Sequence, residues 1–509
     1  MSFPWTPQQV ALYDRLEFTN DSIIVRAVAG SGKTTSLGEC SHKIDNTLVA
    51  AALAFNVRSK KDLERIFNEK VQCLTINGLG HRAMCKYLGT RRPEIDGNKM
   101  YKITREVINE YDAQELWSPV HSLATKAKTH GLVPSKASGQ FKALMDDSYE
   151  SWDELATHYD IDFSREICEL AREVLIKSIV WSFQNKKCDW DDQVYIPTCW
   201  PASFDQRDVL FVDEAQDLSA IQHKMLKKAL RRGGRMIAVG DENQAIYGFR
   251  GSLSNSISLL KEAFNLQPMG LTTSFRCAKS IVREAQKIVP DIEAFNGAPE
   301  GSVEHVDEFD HSIFKYGDVI LCRNNGPLIK MAYRLIMEGV GVHVLGRDIG
   351  SGLVNLVKRL MGEEFYGSIE ELHQKLDNWE EIEVRRATGK EEWSKVASLN
   401  DKADSLRSVI EFSGAESLKA LCQSIKDLFG RTSAPILLSS IHKAKGSEWD
   451  RVYFLDSDLI PSRWAIKAND RNPELFSWMM EQEQNLRYVG VTRAKSELVY
   501  INGNGWSRE

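Results

Sequence analysis

The stretch 22-SIIVRAVAGSGKTTSL-37 decides how the rest of the chain is read. Ile23 to Val28 is a β-rich run, Gly30 and Gly32 open a tight loop, and Lys33 starts a helical pattern. A strand, a glycine loop and a helix in that order aim backbone N–H groups and a helix N-terminus at phosphate oxygens. Ala27 to Thr35 fits the phosphate-loop spacing, with Ala27 where the first glycine is commonest. Ala29, Gly30, Ser31, Gly32 and Thr35 then line the phosphates, Lys33 reaches the β- and γ-phosphates, and the Thr34 hydroxyl sits on Mg²⁺. Glycine serves here because a Cβ would block the approach of backbone to ligand.

Working outward, 208-DVLFVDEAQD-217 supplies what such a loop needs beside it. Its apolar run ends in Asp213 and Glu214, at the C-terminal edge of a strand, where open α/β sheets bind ligands. Asp213 would hold Mg²⁺, directly or through water, and Glu214 would orient and deprotonate an attacking water. ATP is the expected cofactor, with Mg²⁺. Further on, 235-RMIAVGDENQ-244 is another strand ending in polar residues, and 247-YGFR-250 adds aromatics within the same loop.

Candidate strands separated by helical patterns run through both halves of the chain, which argues for parallel sheets with crossover helices. From about Arg82 to about Lys187 strand patterns vanish, and segments such as 165-REICELAREVLIKSIVWSF-183 carry apolar residues at helical spacing. A second charged and mostly helical stretch spans about 347–431. At the front, Thr6, Pro7 and Gln9 read as N-cap, first helical residue and capping-box partner. The basic run 224-KMLKKALRRGG-234 reads as a helix whose cations complement its C-terminus at the two glycines.

At 509 residues the chain is too long for one core and suggests about three or four domains. Hydrophobic residues at 42% and charged residues at 27% suit a globular protein. No run approaches the ~20 apolar residues of a membrane span, and no secretory signal is expected. Nine cysteines without a CxxC pair argue against a disulfide framework or zinc site and for a reducing compartment, the cytoplasm. The net charge of −6 does not announce a nucleic-acid binder, though a groove can be locally basic on an acidic body. The carboxylates of 188-CDWDDQ-193 lack the wider ligand set and basic partner of a two-metal nuclease.

Taken in order, DEAQD (213–217), GDENQAIYGFRG (240–251), SFR (274–276), HKAKGSEWD (442–450) and YVGVTRAK (488–495) resemble the successive motifs of superfamily 1 DNA helicases of the UvrD/Rep type. Order and spacing match over nearly the whole chain except the two helical insertions, as in a compact, phage-like member. The resemblance implies an α/β fold of two RecA-like P-loop domains with parallel sheets and a helical insertion in each. The first domain would comprise 1–81 and 188–270, with the insertion at 82–187. The second would comprise 271–346 and 432–509, with 347–431 as a short helical insertion in place of the family's larger fourth domain.

The resemblance further implies that Gln9 reads adenine, Phe275 stacks on it, and Glu448 touches the ribose. It gives Gln244 to the γ-phosphate or its attacking water, and Arg276 and Arg493 to the γ-phosphate from the second domain. It assigns Phe55, Asn77, Tyr247, Phe249, Arg250 and His442 to single-stranded DNA, although the family carries a histidine where this chain has Asn77. The implied activity is ATP-driven, 3′-to-5′ movement along single-stranded DNA with strand separation at single-strand/duplex junctions and no membrane partner. A viral chain would act in the host cytoplasm and a eukaryotic one in the nucleus. The rival readings are a single-strand translocase that strips proteins with little unwinding, movement with 5′-to-3′ polarity, a P-loop metabolic kinase and a non-catalytic nucleic-acid scaffold. The twin-arginine, two-domain layout argues against the kinase, and the full set of nucleotide-site residues argues against the scaffold.

Overall fold

The computed structural model describes residues 5–91, 93–159, 161–246, 256–362, 364–389, 391–431 and 433–506. The chain divides into two units, Met1–Ala27 with Gly32–Leu271, and Val28–Ser31 with Thr272–Glu509. Strands that are apolar on both faces must be covered on both, as in an all-parallel sheet flanked by helices.

The first unit is built on six strands, the inner ones of this kind: β1 (Ile23–Ala27), β2 (Ala50–Ala54), β3 (Gln72–Thr75), β4 (Arg207–Val212), β5 (Leu230–Gly240) and β6 (Gln267–Leu271). Their order is β3-β2-β4-β5-β1-β6, and every pairing is parallel. Alternate residues of a strand face opposite sides, so each strand feeds two cores. Val25, Val209, Phe211 and Val239 pack with Leu12, Leu16 and Leu37 on one face. Ile24, Leu53, Leu210 and Ala238 share the other face with helices Ile76–Leu88, Lys99–Glu110, Trp117–Thr129 and Arg165–Asn185.

Two local expectations need correction. The helical stretch is not wholly without strands, since Glu94–Ile95 pairs in parallel with Lys187–Cys188. A two-residue strand is too short to show a period of two. The basic helix runs Ala220–Ala229 and ends well before the glycines, because Leu230 is already extended and opens β5. Its lysines answer other carbonyls instead. Lys228 Nζ donates to Pro197 O (2.6 Å) and Trp200 O (2.7 Å), at the C-terminal end of helix Asp192–Cys199.

One four-charge cluster pins the helices to the segment leading into β4. Lys99 and Lys128, both buried, meet the buried Asp189 and Asp192. Lys99 Nζ lies 2.7 Å from Asp192 Oδ2 and Lys128 Nζ lies 2.7 Å from Asp192 Oδ1. Lys128 also donates to Asp189 Oδ1 at 2.5 Å, and the Asp189 and Asp192 backbone amides donate to each other's carboxylates. Burial pushes the Asp192 carboxyl up, but Lys128 and Lys99 outweigh it and hold the group well below the usual carboxylate range.

The second unit repeats the plan with β7 (Ser302–Val306), β8 (Val319–Cys322), β9 (Val342–Val344), β10 (Ile436–Ser440), β11 (Trp449–Leu455) and β12 (Ala494–Ile501). The order is β7-β12-β11-β8-β10-β9, again all parallel. The run 270-GLTTSFR-276 is divided: Gln267–Leu271 closes the first sheet, while Thr273–Ser274 pairs with Glu293–Ala294. Helices Arg347–Met361, Ile369–Gly389, Trp393–Phe412 and Leu418–Gly430 lie between β9 and β10 in the chain and share a core with Ile320, Leu438 and Tyr453. Helix Pro473–Val491 is fixed to the end of β8 by Arg323, whose Nε donates to Glu483 Oε2 at 2.9 Å. Among the described residues no helix is long and apolar enough to cross a membrane.

Removing one partner of a buried charge pair strands the other, at about 3–5 kcal/mol. Lys128→Met is therefore expected to lower the unfolding midpoint of the chain sharply. Replacing Lys128 and Asp189 together with apolar residues should recover part of the loss. Because the folded Asp192 pKa is depressed, its contribution is complete above the ordinary Asp range of about 4 and fades as pH falls below it. Thermal melts of wild type and Asp192→Asn across that range should converge at low pH.

Candidate active site

Parallel strands deliver all their C-terminal ends to one edge, and the register sets Arg26 beside Gly240 and Ala238 beside Val212. The residues just past these ends in the first unit form a charged cluster. Helix Lys33–His42 starts behind Gly32, whose φ of +74° is a left-handed conformation that glycine adopts without strain. Lys33 Nζ donates to Ala27 O at 3.2 Å and lies 3.7 Å from Asp241 Oδ2. The Thr34 hydroxyl donates to Asp213 Oδ2 at 3.0 Å. Gln244 Nε2 donates to Asp241 Oδ2 at 2.6 Å.

Glu214 sits at φ +52°, a strained conformation for a residue with a Cβ, directly after β4. Its carboxylate accepts from Gln216 Nε2 at 2.5 Å, and Gln216 Oε1 accepts from the Asp241 backbone amide at 3.0 Å. Gln216 thus ties the two strand ends together, and Gly240 makes room for it, since a Cβ there would lie 2.7 Å from Gln216 Oε1. Sequence reading passed over Gln216; the signal was an amide set between acids in DEAQD.

Three carboxylates, Asp213, Glu214 and Asp241, share this edge with Lys33. Burial and then Glu214 push the Asp213 carboxyl up to about 7. Burial also raises Asp241, against Lys33 and Gln244. Such an excess of buried negative charge suits a cation, and Asp213 with the Thr34 hydroxyl offers the oxygen donors that Mg²⁺ takes. Among the described residues no group of three or more His, Cys, Asp or Glu could hold a metal alone. Mg²⁺ keeps several waters and binds through one or two carboxylates plus substrate phosphates, so Asp213 and the Thr34 hydroxyl would be a sufficient protein share of its ligands.

Gln9 makes the expected capping box, with Thr6 N donating to Gln9 Oε1 at 2.9 Å. Its Nε2 also donates to Ser36 Oγ at 2.9 Å, which holds the buried amide beside the first turn of helix Lys33–His42. Phe55 follows β2 and is 43% exposed, open to stacking. Asn77 lies in the first turn of helix Ile76–Leu88, and its Nδ2 donates to Trp190 O at 3.0 Å. Tyr247, Phe249 and Arg250 lie outside the described residues.

In the second unit, Arg276 pairs with Glu448, and Glu448 Oε1 also lies 3.3 Å from Lys495 Nζ. Burial raises the Glu448 carboxyl, but Arg276 and Lys495 outweigh it and hold it low. Arg493, 1% exposed, is oriented by backbone oxygens: Nε donates to Val489 O and Nη1 to Ser447 O, both at 3.0 Å. Burial and Arg276 push its guanidinium down to about 10, so it stays charged at neutral pH. The loop Val28–Ser31 groups with this unit. Phe275 N donates to Gly30 O at 2.8 Å, and Ala29 N donates to the Tyr488 hydroxyl at 2.9 Å. Gly30, at φ +74°, is a required glycine, since a Cβ would lie 2.4 Å from Arg276 Cβ. Phe275 packs against Phe295 with ring centroids 5.1 Å apart. His442 is half-buried in the short helix Ile441–Ala444.

Comparison with known proteins agrees with this layout. The UvrD/REP helicase N-terminal domain family matches residues 6–265, and the UvrD-like helicase C-terminal domain family matches 354–504. The chain belongs to the UvrD/REP helicase family. The F-box DNA helicase protein 1 of Schizosaccharomyces pombe is 24% identical over 93% of this chain and 55% of its own length. The F-box DNA helicase 1 of Gallus gallus is 24% identical over 97% of this chain and 48% of its own. The ATP-dependent DNA helicase Rep of Buchnera aphidicola from Acyrthosiphon pisum is 24% identical over 60% and 47%. The chain spans about half the length of these curated relatives.

Gln216→Ala cuts the tie between Glu214 and Asp241. With Glu214 expected to orient the attacking water, its misplacement would cost about 10²-fold. ATP turnover of this variant should fall by about one to two orders of magnitude with the KM for ATP little changed. Steady-state kinetics read both constants.

Proposed function

We propose that the chain is an ATP-driven motor that moves along single-stranded DNA in the 3′-to-5′ direction and separates duplex strands. The observation that carries this reading is the charged cluster of Lys33, Thr34, Asp213, Glu214 and Gln216 on one sheet edge, in a chain of the UvrD/REP family.

In this reading the helix behind Gly32 and the Lys33 ammonium bind the phosphates, and Gln9 and Phe275 take the base. Asp213 and the Thr34 hydroxyl would hold Mg²⁺, which when bound neutralises charge on the β- and γ-phosphate oxygens. Glu214, fixed by Gln216, orients the attacking water and accepts its proton. Gln244 senses the γ-phosphate, and Arg276 and Arg493 stabilise charge developing on the transferred group. Glu448 holds Arg276 until the nucleotide takes over the guanidinium, a role added to its expected contact with the ribose. Phe55, Asn77, Tyr247, Phe249, Arg250 and His442 contact the strand by stacking and phosphate contacts, so binding is salt-dependent and sequence-tolerant.

Single-stranded DNA is expected to stimulate ATP turnover, and Glu214→Gln to lower it by about 10²–10⁴-fold while the strand still binds. Coupled-enzyme turnover assays beside anisotropy with a labelled oligonucleotide measure both. A Glu214→Gln variant at full rate, or a wild type indifferent to DNA, contradicts the proposal. Duplexes with a 3′ tail should be displaced, and displacement from 5′ tails alone would reverse the assigned direction.

A further inference from the structure

β3 is the outer strand of the first sheet, and among the described residues it pairs only with β2. Its outward amides and carbonyls are a template on which a further strand can be laid. Edge strands are commonly blunted by charge, proline or a bulge, and Gln72, Cys73, Leu74 and Thr75 supply none of these. A cavity of about 370 Å³ opens beside this strand. It is lined in part by Lys60 and Glu64 of helix Val57–Ile66, by Phe67, Gln72 and Cys73, and by Arg82 of helix Ile76–Leu88. Side chains alternate across a strand, so Gln72 faces the helix of Arg82 while Cys73 packs with Phe67 on the other side.

Gln72 Oε1 accepts from two guanidiniums, Arg82 Nη1 and Arg207 Nη2, each at 2.7 Å. Arg207 opens β4 and is 7% exposed, and its buried Nε has no hydrogen-bond partner. Burial pushes its guanidinium below the ordinary arginine range; Asp205 opposes this and Arg82 adds to it. Glu64 answers Lys60 and Asp205 answers Lys86, while Glu69, also on the rim, pairs with neither arginine. Two cations thus share one neutral oxygen. The acceptor a guanidinium binds most strongly is a carboxylate held by two parallel bonds.

We propose that the β3 edge docks an extended acidic segment of a partner protein as a seventh strand, with one carboxylate on Arg82 and Arg207. Main-chain bonds to β3 supply affinity, and the side chains at alternate positions supply specificity. The incoming carboxylate displaces Gln72 Oε1, and the next residue of the segment, on the opposite face, enters the cavity beside Cys73 and Phe67. An acidic peptide satisfies both the strand edge and the arginines, whereas a nucleic-acid backbone brings phosphates but no strand to pair with β3. Gln72 and Arg207 lie at the N-terminal ends of parallel strands, opposite the edge that carries Asp213, so docking leaves the nucleotide site free. The proposal is independent of the motor reading.

The test uses the full chain and the labelled peptide Ac-KTVEVTVTK-amide beside its glutamine counterpart, Ac-KTVQVTVTK-amide. Anisotropy should show saturable binding of the glutamate peptide at submillimolar concentration, and about tenfold weaker binding of the glutamine one. Arg82→Gln should weaken the glutamate peptide about tenfold and leave the glutamine peptide within about twofold, the signature of a specific pair. Its DNA-free ATP turnover should stay within about twofold of wild type. The glutamate peptide should also slow amide exchange in residues 71–75, as strand addition requires. If melting curves show that Arg82→Gln fails to fold, the two peptides on wild type decide the matter alone. No binding, equal binding of the two peptides, or binding without protection of 71–75 overturns the inference. So does an Arg82→Gln variant that loses affinity for oligothymidylate and keeps it for the peptide, since the surface then serves nucleic acid.

Discussion

Three carboxylates and one ammonium at the C-terminal edge of the first sheet set the terms for the rest of the unit. Asp213, Glu214 and Asp241 outnumber Lys33, and two of the three are buried deeply enough that their ionised forms are disfavoured. Such a cluster is stable only when each oxygen has a donor. Thr34 serves Asp213, Gln244 serves Asp241 and Gln216 serves Glu214. The same crowding makes the edge receptive to a cation and a polyphosphate together, since the pair brings the missing positive charge and uses the helix N-terminus. Gly240 follows from this constraint, since Gln216 reaches both strand ends only across a residue without a Cβ.

Charge pairing also decides how the helices are held. Lys99, Lys128, Asp189 and Asp192 satisfy one another inside the first unit, and Arg323 with Glu483 does so in the second. Each cluster fastens a helical segment to the start or end of a strand. Asp189 and Asp192, which a sequence reader could mistake for part of a metal site, are committed to lysines. Arg493 follows a related rule: its guanidinium is buried among backbone oxygens, which fix its direction.

The legible parts of the sequence were those whose signal is local. The strand–glycine–helix passage at 22–37, the apolar run ending in Asp213, and the capping box of Thr6 and Gln9 each lie within a few residues of chain. What escaped reading was long-range. Lys99 and Asp192 are 93 residues apart, and nothing near either announces the other. Ser256 reaches carbonyls about forty residues back, and a backbone acceptor leaves no mark in sequence. The basic run 224–234 misled because its glycines suggested a helix end, whereas ladder pairing to β4 had already drawn Leu230 into β5. The pairing of Arg276 with Glu448 was also illegible, since motif resemblance assigns each residue to the nucleotide and says nothing of their mutual contact.

A motor differs from a DNA-stimulated ATPase in that its position on the strand changes with each cycle. Stopped-flow translocation on oligothymidylates of increasing length, with a fluorophore at one end, tests this directly. The account predicts a lag that grows linearly with length when the fluorophore is at the 5′ end, and length-independent decay when it is at the 3′ end. A signal independent of strand length at both ends, despite ATP turnover, would contradict directional movement.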